Sequence, residues 1–188
     1  MTGGARVERL VTSGTFSLDG GTWDVDNNVW LVGDDHEVIV VDAAHDADAI
    51  LEALGGGRTL RAIVCTHAHD DHIGAAPALA ARTGAPALLR PDDLPLWKQT
   101  HPERLPDAEL ADGQRLQAAG AELTVLHTPG HAPGAVCLYA PWLSALFSGD
   151  TLFAGGPGAT GRSYTGHGDR TTVGAEAPHL QEWIDRGF

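Results

Sequence analysis

Cysteine is scarce in this 188-residue chain, and the two that occur, Cys65 and Cys137, sit in apolar, strand-like runs. Neither belongs to a CxxC pair, so neither a disulfide framework nor a thiolate zinc site is expected, and both read as small buried hydrophobes. Basic residues are also few: 12 Lys and Arg face 25 Asp and Glu, a formal charge of −13, with no basic cluster. Such a surface repels phosphate backbones and excludes nucleic acid as a partner. No apolar run approaches the roughly 20 residues that a membrane span requires. The opening MTGGARVERL lacks the apolar stretch of a secretory signal, so a soluble, cytoplasmic protein without a membrane partner is expected. There is no repeat and no long linker. With 43% hydrophobic residues, one domain over 1–188 can bury a substantial core.

What is present is a succession of short strands punctuated by Gly and Pro. Strands are expected at Arg9–Thr12, Asn27–Val32 and Glu37–Val41, with a hairpin loop at Gly33–His36. Asp46 can cap a helix over Ala47–Leu54, ended by Gly55-Gly56-Gly57. A buried strand follows at Leu60–Cys65, then one helix from Asp71 to about Thr83, closed by Gly84. Ala87–Leu89 reads as a strand and Pro91–Pro106 as surface loop with a helical turn. Further strands are expected near Gln114–Gln117, Glu122–His127, Ala135–Tyr139 and Ser144–Ser148, then a Gly-rich loop at Gly155–Gly161 and a terminal helix over Ala175–Arg186. This order implies an α/β architecture with mixed sheets and helices outside.

The chemistry concentrates in Thr66-His67-Ala68-His69-Asp70-Asp71-His72, between a strand and a helix start. Four potential ligands within six residues meet around one cavity only if the backbone turns tightly. His67 and His69 can share one cation, and Asp71 and His72 point to a neighbouring position. His131, in Thr128-Pro129-Gly130-His131, and Asp150, in Phe147-Ser148-Gly149-Asp150, repeat the pattern of apolar strand, turn and ligand. Together they supply the imidazoles and carboxylates that zinc, iron or manganese accept.

THAHDDH matches the HxHxDH motif of the metallo-β-lactamase superfamily. HTPGHAPG, FSGDTLFAGG and TGHGDRTT are similar to its later motifs, in wording close to glyoxalase II (hydroxyacylglutathione hydrolase) and its shorter bacterial relatives. The resemblance implies a four-layer αββα sandwich with a metal pair at one edge of the sheets. It implies that His67, His69 and His131 hold one divalent ion, that Asp71, His72 and His167 hold a second, and that Asp150 bridges them. Zinc is the first expectation, with iron or manganese as alternatives. It further implies hydrolysis of a small thioester of the S-2-hydroxyacylglutathione kind by a metal-bridging hydroxide that Asp71 orients. True β-lactamases of the superfamily lack the bridging carboxylate, so Asp150 argues against antibiotic hydrolysis. Two alternatives stay open: a persulfide dioxygenase-like oxidoreductase with one iron on His67, His131 and Asp150, and a metal-binding protein with little or no turnover.

The chain departs from the family pattern in its C-terminal half. His167 follows Asp150 by only seventeen positions, where relatives insert a helix and a strand. The segment can reach about 55 Å extended, but the strand that would aim His167 is missing. A shortened sandwich exposes a sheet edge, from which either a homodimer through that edge or disorder around Gly155–Tyr164 is expected. The glutathione-gripping helical domain of full-length relatives is not expected within 1–188, which leaves the thiol of the substrate open. Of the other polar residues, Asp42 is a candidate support for a ligand imidazole, and His127 supports the site. His45 is structural, Asp70 faces solvent or caps the helix, and His36, His101 and His179 are surface or loop residues. The tryptophans read as core or rim packing.

Overall fold

The computed structural model describes residues 4–158, 177–179 and 181–182. β1 (Arg6–Leu18) and β2 (Gly21–Gly33) form a long antiparallel hairpin, paired from Arg6↔Gly33 to Leu18↔Gly21. Both strands run well past the expected Arg9–Thr12 and Asn27–Val32. Their distal halves carry only two short apolar alternations, Phe16/Leu18 and Trp23/Val25, among many exposed polar residues, so the pattern is weak there. The Asp19-Gly20 turn is the stronger signal: both residues have positive φ (48° and 82°), the two-residue geometry whose twist suits a hairpin.

β3 (Glu37–Val41) pairs antiparallel with β2 and parallel with β4 (Thr59–Val64). β5 (Ala87–Leu89) and the two-residue β6 (Ala108–Glu109) continue the parallel run and complete a six-stranded sheet. Between the parallel strands lie α1 (Ala47–Leu54), α2 (Asp70–Ile73), α3 (Ala76–Thr83) and α4 (Leu94–Thr100). Asp46 caps α1 as its position suggests, accepting from the amides of Asp48 and Ala49 at 2.9 and 3.1 Å. The single helix expected over 71–83 is broken at Gly74-Ala75, because the Ala75 amide donates to Ala43 O in the loop after β3 (3.0 Å). The break draws the metal-motif segment against that loop.

β7 (Arg115–Ala118), β8 (Ala121–His127), β9 (Val136–Ala140) and β10 (Ala145–Phe147) form a second, antiparallel sheet, with β10 at one edge among the described residues. β11 (Leu152–Phe153) and β12 (Gly156–Pro157) make a small hairpin where the sequence suggests the start of a Gly-rich loop. One apolar cluster, with Ile39, Val64, Leu123, Val125 and Leu138, fills the space between the sheets. Another, with Ile50, Ile63, Ile73, Leu79 and Trp97, lies between the six-stranded sheet and its helices. Each such side chain contributes about 1.5–3 kcal/mol on burial. An ion pair such as Arg58–Glu8 (3.0 Å) contributes at most about 1 kcal/mol. Apolar burial therefore holds the layers.

Helices, sheet and sheet are three of the four layers that the sequence resemblance implies, seen among the described residues. Within the terminal helix expected over 175–186, Ala177–His179 form a 3₁₀ turn, and most of the remainder lies outside the described residues, as do His167 and residues 159–164. Among the described residues no helix is long and apolar enough to cross a membrane.

Candidate metal centre

Candidate ligands gather where strands of the two sheets end. Asp42 follows β3, and Thr66 and His67 follow β4, at the C-terminal ends of parallel strands where α/β sheets leave a crevice. His131 follows β8 and Asp150 follows β10 in the facing sheet. Gly149, just before Asp150, has φ +49°, and a Cβ there would strike the Thr66 side chain. Glycine is thus what lets the Asp150 turn approach β4's loop.

Six of the seven predicted ligands come together. His69 Nδ1 lies 3.1 Å from His67 Nε2 and 3.0 Å from His131 Nε2. Asp150 stands between these imidazoles and His72: its Oδ2 is 3.5 Å from His131 Nε2 and 4.0 Å from His67 Nε2, and its Oδ1 is 3.3 Å from His72 Nε2. Asp71 Oδ2 is 3.5 Å from His72 Nε2. The donor atoms of His67, His69 and His131 all lie within 4.8 Å of one another, as do those of His67, His72 and Asp150. A tetrahedral zinc with Zn–N bonds of about 2.0–2.1 Å separates its ligand atoms by about 3.3 Å. The observed spacings bracket that value, so the donor set fits divalent metal. The seventh residue, His167, lies outside the described residues.

Hydrogen bonds aim the ligands. Asp42, with φ 55°, accepts from the Thr66 amide (2.7 Å), the Thr66 hydroxyl (2.8 Å) and His72 Nδ1–H (3.1 Å). Because the Thr66 hydrogen goes to Asp42, its Oγ1 accepts from His67 Nδ1–H (3.1 Å). One carboxylate thereby fixes Nδ1–H on two imidazoles and turns both Nε2 atoms toward the cluster, the support expected of it. The Asn27 amide donates to Asp71 Oδ2 (3.0 Å), which obliges Asn27 Oδ1 to accept from His45 Nε2–H (2.7 Å). His127 Nε2–H donates to Pro133 O (3.0 Å), bracing the loop that carries His131.

Electrostatics divides the imidazoles. Burial first, then the neighbouring imidazoles, pushes His67 well below the usual histidine range and His69 down to about 4. Both are neutral at pH 7 and so could serve as metal ligands. Burial opposes protonation of His72 too, but the Asp150 and Asp71 carboxylates outweigh it and raise its pKa well above the ordinary value.

Three polar residues stand differently from the sequence expectation. Asp70 neither caps α2 nor faces only solvent: its carboxylate accepts from the Ser17 amide (3.1 and 3.2 Å), tying the β1–β2 hairpin to the motif loop. Above that link Phe16 packs on His69 at 5.5 Å between ring centroids and on Trp23 at 6.1 Å. His101 is no solvated loop residue, since its Nε2–H donates to Ile73 O (3.0 Å) and its ring lies 5.0 Å from Trp97. Asp93 carried no functional expectation, yet it is fully buried. Its Oδ2 accepts from the Ala68 amide (3.0 Å) and its Oδ1 from the Gly134 amide (2.5 Å). Burial raises its pKa, and those two amides pull the other way. Its place just beyond a parallel strand was the available signal.

Two facing sheets that present clustered imidazoles and carboxylates at their strand ends define a metallo-hydrolase-type scaffold. The chain belongs to the metallo-beta-lactamase superfamily, whose family profile matches residues 22–183. Hydroxyacylglutathione hydrolase of Stenotrophomonas maltophilia (strain R551-3) is 38% identical over 136 residues, 71% of this chain and 49% of the relative. The chain spans about half the length of curated relatives of that name. In structure it is similar to the B3 metallo-beta-lactamase BLEG-1, with TM-score 0.72, 26% identity, 89% of this chain and 97% of that one. It is also similar to TTHA1623, solved in a di-iron-bound form, with TM-score 0.65, 31% identity, and 80% and 91% covered.

Proposed function

We propose that this protein is a two-metal hydrolase that cleaves a thioester of a small thiol. The observation that carries the reading is Asp150, with one carboxylate oxygen toward His67 and His131 and the other toward His72. His67, His69 and His131 would hold one divalent ion. Asp71 and His72, with His167, would hold the other, and Asp150 would join them; zinc is the first choice, iron or manganese the alternatives.

Two ions held by these residues would supply a Lewis acid for the substrate carbonyl and would bring the pKa of water to near 7. The chain's own groups do the rest. Asp71, held by the Asn27 amide, orients the attacking water by accepting its proton in a hydrogen bond. With one proton given up to solvent, the hydroxide oxygen bonds to the acyl carbon, the C–S bond breaks with its electron pair on sulfur, and the proton of the carboxylic acid product passes to the thiolate. A thiolate needs little acid assistance, which suits a site rich in imidazole ligands. The Phe16–Trp23 wall beside His69 offers an apolar flank for the acyl group. The name of the partial-length relatives supports the same substrate class.

His67, His131 and Asp150 also supply two imidazoles and one carboxylate, the donor types of non-haem iron oxygenases. The test is a panel assay on zinc- and iron-loaded protein. Anaerobic cleavage of S-lactoylthiols, with a cephalosporin left intact, is expected. Thiol-dependent oxygen uptake without thioester cleavage would replace the hydrolase with the iron oxygenase reading. Bound metal with no turnover of esters, thioesters or lactones would leave a metal-binding protein.

A further inference from the structure

We infer that Asp93 is a positioning residue that locks the two loops of the first metal site together. The inference rests on the metal reading above. Asp93 occupies the position before α4 from which an aspartate ordinarily caps its own helix, yet its side chain makes no cap there. Both carboxylate oxygens turn instead to other parts of the chain. One takes the amide of Ala68, the residue between His67 and His69. The other takes the amide of Gly134, three residues beyond His131. The carboxylate therefore spans the two segments that supply all three imidazoles of that site, from a position 25 residues from one partner and 41 from the other.

The chemistry of the contact demands a carboxylate. Both partners are N–H donors, and only an ionised carboxylate offers two acceptor oxygens and no donor. An amide at the same place satisfies one loop and sets an NH2 group against the other's N–H. Gly134 is matched to the same contact, since a Cβ there would lie 2.8 Å from Asp93 N and 2.9 Å from Asp93 Cγ. The contact can thus be loosened from either side without altering a proposed metal ligand.

The experiment loads wild type, Asp93→Asn and Gly134→Ala with cobalt(II) and records the ligand-field spectrum and the affinity of each site, with circular dichroism as the folding control. Both variants should lose about 10- to 100-fold in affinity at the His67–His69–His131 site, as loss of an outer partner does elsewhere. The spectrum of that site should change while the second site keeps its affinity. A folded Asp93→Asn with wild-type spectrum and affinities overturns the inference, as does equal weakening of both sites. Should Asp93→Asn fail to fold, Gly134→Ala decides by the same criteria. Wild type that takes up no cobalt would instead contradict the metal reading itself.

Discussion

Replacing Asp150 with Asn should reduce turnover at least about 100-fold and leave no more than one tightly bound ion per chain. The expectation follows from position. Changing a partner one shell away from a metal costs about 10- to 100-fold, and Asp150 would touch both of the proposed ions. Its oxygens stand 3.3 Å from His72 Nε2 and 3.5 Å from His131 Nε2, so its negative charge lies between the two donor sets. An amide presents one oxygen and one NH2, and the NH2 end cannot ligate a cation. The side chain is buried, so water cannot readily replace the lost oxygen. Elemental analysis and thioester hydrolysis on the same preparation check the result. Two ions with unchanged turnover would remove Asp150 from the site.

Asp71→Asn should behave differently. Turnover should fall by about 100-fold or more, the scale of a lost proton acceptor, while metal at the His67–His69–His131 site stays near its wild-type level. Asp71 lies outside that donor group but within 3.5 Å of His72 Nε2, and its Oδ2 is fixed by Asn27. The Asn27 amide is itself oriented by His45, so the carboxylate is held by a short polar chain. The substitution keeps one acceptor for Asn27 and removes the charge that would orient water. Site-resolved cobalt spectra with kcat measured in parallel test this. Loss of metal from the first site with kcat per bound metal unchanged would make Asp71 a ligand only.

The site was more legible in the sequence than its supports. His67, His69, Asp71 and His72 share six positions, and His131 and Asp150 each follow an apolar strand through a Gly turn, so local pattern points to them. Asp42 was legible for the same reason, at the end of Val38–Val41. Asp93 was marked only by its place beyond β5, because what distinguishes it is two backbone amides brought from distant segments by the packing of α4 and the β8–β9 loop. Asn27 reads as an ordinary strand residue until β2 is laid beside α2. The β1–β2 hairpin was under-read for a different physical reason: its outer half buries little, and mainly the Asp19-Gly20 turn marks it. The break in the 71–83 helix likewise depends on Ala43 O, supplied from another strand's end.

Anomalous diffraction from zinc-loaded crystals tests the central claim most directly. Two peaks are predicted, one among His67, His69 and His131 and one beside His72 and Asp71, with Asp150 between them. A single peak, or peaks away from these side chains, would contradict it.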